Sequence, residues 1–354
     1  GSFQAACETA GPRIVVFEVS GVIKGSVAIK HPNITIAGQT APGAGITIEG
    51  MLKNPYRIKP NLHDVTIRFL RVRAPRHKGK WSGGDCLQLT GIDRLIIDHV
   101  SCSWGSDENV DVCNSRDITI QWCAIEESDT KGHRKGQHNF GMIMGYSGRD
   151  ATVHHNLFAH HARRAPLCGL EVLDHRNNVI YNMRAPLLWH PVRMNYRRKG
   201  QPFRANIVGN YFKAGPNYKR DANTSRLDQV MWKRSTVDPY SEGNYFAWID
   251  KVVVSTDEPR SEKPWPAPPV KTHKAKEANE LVLAHAGCLP RDVVSRRTVE
   301  EVQKATGKWG RHDPPKGLMD GLTPGKPPRD TDNDGMPDDW ETARTLDPKG
   351  PADG

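Results

Sequence analysis

The sequence has no run of 18 or more apolar residues, so no stretch of it is long enough to cross a membrane as a helix. Its seven cysteines include no Cys-X-X-Cys pair, and the spacing of a structural zinc site is therefore absent. Because Cys102 and Cys123 are 21 residues apart, about the interval at which similar segments recur, buried stacked thiols are expected in place of a disulfide framework. No signal peptide is recognisable; we expect that a leader was removed ahead of Gly1 and that the protein is secreted, periplasmic or at the cell surface.

Acidic residues are fewer than basic ones, with 40 Asp and Glu against 50 Lys and Arg, which gives a formal charge of +10. Such a charge attracts polyanions, namely nucleic acid, anionic lipid or acidic polysaccharide, although a merely soluble basic surface is the alternative. Nucleic-acid binding is disfavoured because the most basic region lacks a recognition-helix or aromatic-platform pattern. That region is 184–234, with Arg184, Arg193, Arg197, Arg198, Lys199, Arg204, Lys213, Lys219, Arg220, Arg226, Lys233 and Arg234.

Short β-branched segments recur along the chain, with equivalent positions 22 to 34 residues apart. Examples are Asn33-Ile-Thr-Ile-Ala-Gly38, Asp64-Val-Thr-Ile-Arg-Phe69 and Asp117-Ile-Thr-Ile-Gln-Trp122. They alternate with period two, and no useful amphipathic helix separates them, which disfavours βαβ crossovers. A solenoid of stacked coils fits this spacing, whereas a β-sandwich predicts strands about every 8–12 residues. We therefore predict an all-β parallel β-helix over residues 1–250, with Asn156, Asn178, Asn210 and Asn244 stacked as a ladder.

The repeat stops near residue 250. Residues 256–274 are rich in Pro, Lys and Glu and predict an extended strap. Two short helices are predicted over Glu277–His285 and Ser295–Ala305, with Ser295 as a possible cap of the second. Because two short helices cannot form a core alone, we expect residues 251–315 to pack on the β-helix, followed by a tail over 316–354.

The tail carries a calcium-loop pattern. Its residues fit D-x-D-x-D-G-x5-E at every specified position, with Gly335 at the sharp turn and oxygen ligands offered by Asp330, Asp332, Asp334, Asp338 and Glu341. Pro337 and the lack of a convincing helix before the loop argue against a complete EF-hand. We predict a structural calcium loop, with a solvated acidic tail as the alternative.

A second group of acidic residues lies in the middle of the chain. Asp107, Glu108 and Asp111 follow a β-branched segment, and Asp85 lies 22 residues before Asp107, about one coil. Carboxylates brought together without partners raise one another's pKa, and a hard cation such as calcium relieves this repulsion. From the residues alone, ordinary solvated turn acids are the alternative to a cation site.

An arginine doublet lies roughly two coils beyond these acids. Arg163 and Arg164 precede Ala-Pro, where an arginine is commonly a surface charge. A doublet can also bind uronic-acid carboxylates in bidentate fashion. Physical reasoning alone therefore predicts a protein that binds an acidic polymer and has a possible cation site.

In combination, several segments resemble the pectate lyases of polysaccharide lyase family 1, in particular the bacterial branch with an Ala-Gly-Gln-Thr-Ala-Pro-Gly segment. The resemblance spans roughly residues 1–310 and implies a right-handed parallel β-helix and the β-elimination of polygalacturonate. The matching segments are Gly11–Phe17, Ile36–Gly43, Asp98–Trp104 with Asp107-Glu108-Asn109, His154–His161, Arg176–Asn182 and Leu281–Gly287.

The resemblance also implies roles for single residues. Asp85, Asp107 and Asp111 fall where the family holds its catalytic calcium, and we add Glu108 as a candidate ligand. Arg164 falls on the arginine that removes the proton at C5 of the uronate, after which the C4–O4 bond breaks. Because a guanidinium holds its proton to above about pH 12, this role needs neighbours that depress its pKa, and we predict an alkaline optimum.

The chain departs from the family pattern in its substrate-binding residues. Leu167-Cys168-Gly169 stands where the family has a further arginine, and the family's substrate-binding lysine has no clear counterpart. The candidates for binding substrate are Arg163, Arg184, Arg193, Lys131 and Lys135. We interpret His138, His154 and His155 as stacked or hydrogen-bonded structural histidines, with a transition-metal cluster as the alternative.

Three other functions fit parts of the pattern. A pectin lyase would need no calcium and would not keep three acids. A galacturonan hydrolase would use Asp107 and Asp111 as general acid and base. A non-catalytic β-helix that binds acidic polysaccharide is the candidate from a different class. We expect the protein to be a monomer.

Overall fold

The computed structural model of the chain describes residues 1–55, 62–76, 84–146, 148–185, 187–189, 203–218, 237–247 and 261–351. Arg193 lies outside the described residues, as do most of the other basic residues of segment 184–234 and the first part of the strap. Among the described residues, no helix is long and apolar enough to pass through a bilayer.

The described strands form three sheets in which every neighbouring pair is parallel. The first sheet contains, in order, β1 (Arg13–Val15), β4 (Ile34–Ala37), β7 (Leu62–Arg68), β10 (Ile92–Asp98), β13 (Arg116–Gln121), β16 (Asp150–His154), β19 (Val172–Arg176), β22 (Phe203–Val208) and β24 (Val237–Glu242). The second contains β2 (Gly21–Lys24), β5 (Ile46–Glu49), β8 (Leu70–Arg73), β11 (Ser101–Ser103), β14 (Ala124–Glu126), β17 (Leu157–Ala159), β20 (Val179–Tyr181), β23 (Tyr211–Lys213) and β25 (Tyr245–Phe246). The third contains β3 (Val27–Ala28), β6 (Leu52–Lys53), β9 (Leu87–Gln88), β12 (Glu108–Asp111), β15 (Phe140–Met144), β18 (Leu167–Cys168) and β21 (Leu188–Trp189).

From β1 to β21 the chain visits the three sheets in turn, so each group of three strands is one coil. This is the predicted parallel β-helix. Equivalent residues of successive coils are hydrogen-bonded neighbours, as in the register that joins Ile36, Ile67, Ile97 and Ile120. These four side chains are at most 1% exposed, and their stacking along the axis forms the core.

The predicted asparagine ladder is present. The side-chain Oδ1 of each asparagine accepts the backbone N–H of the previous one, at 3.0 Å from Asn156 to Asn178 and 2.9 Å from Asn178 to Asn210. The series continues at 2.9 Å from Asn210 to Asn244. Each buried turn between the first two sheets thus satisfies its own polar groups, which fixes the coil spacing.

An aromatic stack runs beside this ladder. The rings of Phe69 and His99 are 4.5 Å apart, and those of Trp122 and His155 are 4.4 Å apart. His155 also contacts His154 through a pair of ring nitrogens 2.9 Å apart. His154 and His155 therefore belong to a packed and hydrogen-bonded structure, as the sequence suggested, whereas His138 lies in a different loop.

Four α-helices and one 3₁₀ turn complete the described elements: α1 (Phe3–Glu8), the 3₁₀ turn (Gly38–Thr40), α2 (Ala275–His285), α3 (Val293–Lys304) and α4 (Asp338–Thr342). The two predicted helices correspond to α2 and α3, which pack on the second sheet through Val282, Leu283 and Val302. The cap of α3 is Asp292, whose carboxylate accepts the Ser295 backbone N–H, so Ser295 is a helical residue and the suggestion that it caps the helix was wrong.

All seven cysteines belong to the described residues, and each is free and buried, as predicted. The last described strand of the β-helix ends at Phe246, and the division into residues 1–250, 251–315 and 316–354 stays a prediction.

Candidate active site

The third sheet positions the central acids. β12 carries Glu108 and Asp111, and it pairs with β9 in the register Val110 to Leu87 and Asp111 to Gln88. Asp85 precedes β9, and its Oδ1 accepts the Glu108 backbone N–H at 3.0 Å. Asp85 therefore aligns with Glu108, 23 residues later, and not with Asp107, which the 22-residue spacing suggested. Because the coils stack, residues distant in sequence meet on this face.

Asp85 is buried, with 4% of its surface exposed, and Glu108 is buried to the same extent. Burial raises its pKa well above the ordinary range, the charges of Asp111 and Asp107 raise it further, and Arg164 acts in the opposite direction. The three aspartates are therefore electrostatic neighbours. Such an arrangement would stabilise a bound cation, because the attraction of the cation offsets the desolvation of Asp85 and the repulsion among the carboxylates.

Asp111 and Asp107 are more accessible. The Oδ1 of Asp111 accepts the Cys113 backbone N–H at 2.9 Å, which orients its carboxylate. Asp107 lies just before β12 with 33% of its side chain exposed. Among the described residues, the carboxylates of Asp85, Asp107 and Asp111 do not form a group with ligand atoms all within 4.8 Å of one another. A single ion shared by all three would draw them together.

Arg164 lies on the same face two coils beyond Asp111, in the turn before β18. Its backbone has a left-handed φ of 73°, its N–H donates to Ala185 O at 3.1 Å, and its carbonyl accepts from Met142 N at 2.7 Å. Its guanidinium forms an ion pair with Glu108 and lies 3.7 Å from the centre of the Phe140 ring. The predicted base is thus next to the predicted cation site.

The ion pair with Arg164 changes the interpretation of Glu108. Its Oε1 is the partner of the arginine, so a role of Glu108 as a calcium ligand stays a prediction. No sequence pattern indicated this pair, because 56 residues separate the two side chains. Phe140, which supports the guanidinium by a cation–π contact, was also missed.

The candidate substrate-binding residues lie at different distances from this centre. Arg163 is registered with Phe140 on one side and Ala185 on the other, and both burial and the charge of Arg184 lower the pKa of its guanidinium. The structure thus brings Arg163 and Arg184 together. Lys131 and Lys135 are exposed residues of the loop between β14 and β15.

The same loop contributes two histidines to the site. The Nε2 atoms of His133 and His138 each lie 3.7 Å from a carboxylate oxygen of Asp107. Sequence reasoning considered His138 only with His154 and His155, and it missed His133. The His-x4-His spacing in a loop was the only available signal, and it does not reveal the aspartate of the preceding coil.

The tail forms a compact acidic loop. Asp330, Asp332 and Asp334 have carboxylate oxygens within 4.8 Å of one another. Desolvation and the charges of Asp334 and Asp330 raise the pKa of Asp332. Gly335 has a φ of 93°, a conformation that glycine adopts readily. Its N–H donates to Asp330 Oδ2 at 3.0 Å, and the candidate ligand Glu341 is fully buried in α4.

Comparison with models of known protein families gave no match. Curated relatives do match. The chain is 32% identical over 356 residues to a probable pectate lyase C of Aspergillus fumigatus, covering 96% of this chain and 79% of the relative. It is 32% identical over 353 residues to the corresponding protein of Aspergillus terreus, covering 96% of this chain and 79% of that one. These relatives are fungal, and the expected bacterial branch is not confirmed.

Solved structures show the same fold at lower identity. A pectate lyase from Bacillus sp. N165 in complex with trigalacturonate aligns with a TM-score of 0.51 and 18% identity, covering 76% of this chain and 83% of that chain. A pectate lyase bound to a hexasaccharide aligns with a TM-score of 0.52 and 16% identity, covering 74% of this chain and 69% of that chain. At such identities these structures support the β-helical fold alone.

Proposed function

We propose that this chain, which is a polysaccharide lyase of the pectate lyase family, cleaves polygalacturonate by β-elimination. In this proposal Asp85, Asp107 and Asp111 bind calcium, and Arg164 is the base. The observation that carries the proposal is the meeting of these aspartates and Arg164 on one face of the third sheet. Glu108 is retained as a candidate fourth ligand.

The donor set suits calcium. Its candidate ligands are carboxylates, which hard cations prefer, and the buried Asp85 carries an unfavourable charge that a cation would stabilise. When bound, calcium supplies electrostatic stabilisation of the negative charge that develops on the C6 carboxylate of the uronate. Asp85 fixes the depth of the site, and the more exposed Asp107 and Asp111 leave its outer side open to substrate.

Arg164 is positioned to remove the C5 proton, which is weakly acidic because C5 lies α to the carboxylate. The ion pair with Glu108 favours the charged guanidinium and therefore opposes this role. The proposal requires that the pair open when substrate binds, so that the neighbouring cations Arg163 and calcium act on Arg164 without the compensating carboxylate. This requirement gives the predicted alkaline optimum, because a neutral guanidine is more populated at high pH.

Binding of the acidic polymer is assigned to cationic side chains around this centre. The charge of Arg184 is close enough to help burial lower the pKa of Arg163, and a uronate carboxylate between the two arginines would relieve their repulsion. Lys131 and Lys135 lie on an exposed loop that also carries His133 and His138. Arg193 stays a prediction, as do the monomeric state and a secreted, periplasmic or cell-surface location.

The experiment that tests the function is turnover of polygalacturonate with and without EGTA. We expect a product with the ultraviolet absorbance of an unsaturated uronide, formed only when calcium is present. New reducing ends without that absorbance would indicate hydrolysis. Cleavage of methyl-esterified pectin that is insensitive to EGTA would indicate a pectin lyase, and polymer binding without cleavage would indicate a non-catalytic β-helix.

For the tail we propose a separate, structural calcium site formed by Asp330, Asp332, Asp334, Asp338 and Glu341. The support is the full match to the loop pattern together with the clustering of the first three carboxylates. In the structure Asp338 accepts hydrogen bonds from the Thr331 backbone N–H and hydroxyl, both at 2.7 Å, so it would join the ion directly or through water only after a shift.

A further inference from the structure

Two imidazole rings face the outer carboxylate of the candidate active site. His133 Nε2 lies 3.7 Å from Asp107 Oδ2, and His138 Nε2 lies 3.7 Å from Asp107 Oδ1. The two nitrogens and a carboxylate oxygen are all within 4.8 Å of one another. The carboxylate is 33% exposed and the rings are 8% and 18% exposed, so the group lines the surface while its members pack against each other.

The two rings pack against each other, and His138 also packs against Phe140. Their centres are 3.5 Å apart, and the His138 ring lies edge-on to the Phe140 ring with 4.8 Å between centres. Phe140 opens β15 and also contacts the guanidinium of Arg164. His138 and the predicted base Arg164 therefore pack against the same residue of β15.

Hydrogen bonds on the far side of each ring determine which nitrogen is available. His138 Nδ1 lies 3.1 Å from the Gly136 carbonyl oxygen, which can only accept, so Nδ1 carries a hydrogen. In the neutral ring the lone pair is then on Nε2, which faces Asp107. This is the outer contact that metal-binding histidines usually make. His133 Nδ1 accepts the Lys135 backbone N–H at 3.2 Å, which places its hydrogen on Nε2.

We propose that Asp107, His133 and His138 form a binding site for a divalent transition metal ion such as zinc, next to the proposed calcium site and sharing Asp107 with it. Imidazole nitrogens prefer zinc, copper or nickel, whereas calcium takes oxygen ligands, so the two sites select different ions. Tetrahedral zinc bonds of about 2.0–2.1 Å place ligand atoms about 3.3 Å apart. The two 3.7 Å separations end on different oxygens of Asp107, so zinc binding needs the rings to approach by about 0.4 Å and the carboxylate to rotate toward one of them.

The two histidines are not equivalent ligands. His138 offers its lone pair without any change of tautomer. His133 binds a metal only in the other tautomer, which gives up the hydrogen bond from the exposed Lys135 backbone amide. Water would complete the coordination on the exposed side. His138 is therefore the dominant nitrogen ligand of the site, and His133 the weaker one.

A consequence follows for the lyase reaction, and this part rests on the proposed function. The two oxygens of Asp107 could each bind one ion, but two divalent cations that share one carboxylate repel each other at that distance. A zinc ion held by the histidines would draw Asp107 away from Asp85 and Asp111 and so weaken calcium binding. Zinc would then inhibit turnover, and a higher calcium concentration would restore it.

The test is calorimetric titration of zinc chloride into the full chain, prepared without a polyhistidine tag and without calcium. We expect one site in the wild-type protein, weakened at least about tenfold by His138→Gln, less by His133→Gln, and lost in the double variant. His63→Gln is the matched control, because His63 is an exposed histidine that also pairs with an aspartate, Asp64, at 2.7 Å. Circular dichroism checks that each variant is folded. Equal zinc affinity in the wild-type protein and the folded double variant would overturn the site.

A second titration needs no variant. Repeating the zinc titration of the wild-type chain at increasing calcium concentrations should lower the apparent zinc affinity if both ions use Asp107. Zinc binding that depends on the histidines but not on calcium would keep the zinc site and refute the sharing of Asp107. Zinc binding that is absent from the wild-type chain would refute the site whatever the outcome of the lyase assay.

Discussion

At the scale of single residues, the contact between Arg164 and Glu108 decides how the candidate base can act. The Arg164 guanidinium lies 3.7 Å from the centre of the Phe140 ring and forms an ion pair with Glu108, whose side chain is 6% exposed. Both contacts favour a charged guanidinium. The proposed chemistry therefore requires the opening of an ion pair that the sequence did not predict.

Arg164→Ala should lower kcat by about 10²–10⁴, the range that a positioned base contributes, while polygalacturonate binding stays within a few fold of the wild type. Turnover is measured by the ultraviolet absorbance of the product and binding by sedimentation with the insoluble polymer. Arg94→Ala is the control, because Arg94 forms an exposed pair with Asp64 at 2.7 Å on another sheet. Undiminished cleavage by Arg164→Ala would exclude this arginine as the base.

Asp85→Asn should abolish calcium-dependent turnover without destabilising the calcium-free protein. Burial and the charges of Asp111 and Asp107 raise the pKa of Asp85, so the folded state prefers the protonated form. Without calcium, the free energy of unfolding therefore decreases as the pH rises from the pKa of Asp85 in the unfolded chain through its raised pKa in the folded protein. Above that range the charged Asp85 destabilises the fold. Replacing it with a neutral amide removes this effect.

The measurement is a pair of melting curves in EGTA at neutral pH. We expect Asp85→Asn to melt at the same temperature as the wild type or higher, with the wild type gaining stability from calcium and the variant gaining less. A variant that melts well below the wild type in EGTA would indicate that Asp85 has a structural role without a cation.

At the scale of elements, α3 is attached to the second sheet by buried charge. Arg73 is fully buried and donates to both carboxylate oxygens of Asp292, at 2.9 and 2.8 Å. Asp292 also caps α3, and Ser295 donates to Glu126 Oε1 at 2.6 Å. A helix too short to be stable alone is thus stabilised by contacts that only the β-helix supplies.

Asp292→Ala should lower the free energy of unfolding by roughly 3–5 kcal/mol, because it leaves the Arg73 guanidinium buried without its partner. The double variant Arg73→Met with Asp292→Leu should recover much of this loss, because neither member of the pair is left buried without the other. Urea unfolding followed by circular dichroism measures both. A double variant as unstable as the single one would show that the pair is needed for packing and not only for charge balance.

At the scale of the whole molecule, the tail folds back to the first coil. Gly335 of the acidic loop lies beside Val16 at the start of the β-helix: a Cβ atom added to Gly335 would be 3.5 Å from Val16 Cγ2. Val16 is 40% exposed. An ion in this loop would hold the tail over that end. Calcium binding to the tail loop should therefore raise the melting temperature independently of the candidate active site.

Asp332→Asn with Asp334→Asn should remove part of the rise in melting temperature that calcium produces and leave turnover unchanged. Ligand binding to the folded state alone stabilises by about 2.7 kcal/mol at a ligand concentration of 100 times Kd, which is a measurable shift. Asp347→Asn is the matched control, since Asp347 is an exposed aspartate of the same tail outside the loop. An unchanged calcium response in the double variant would refute the tail site.

The sequence by itself determined the architecture. Segments of period two at intervals of 22 to 34 residues, with asparagine at 156, 178, 210 and 244, were enough to predict a parallel β-helix and its ladder. This was possible because every coil repeats the same local requirement, which is a buried strand followed by a turn whose polar groups must be satisfied. The calcium-loop pattern of the tail was visible for a similar reason, since its candidate ligands are close together in sequence.

Only the tertiary structure decided which side chains meet across coils. Three contacts show this. Glu108 pairs with Arg164 and Asp85 aligns with Glu108, although these residues are 56 and 23 positions apart. His133 and His138 contact Asp107 from a loop whose path the repeat does not specify. The repeat fixes the average spacing of coils but not the length of each loop. A difference of one residue in register, or one loop folded toward the face, changes the partner of a charge, and therefore its pKa and its role.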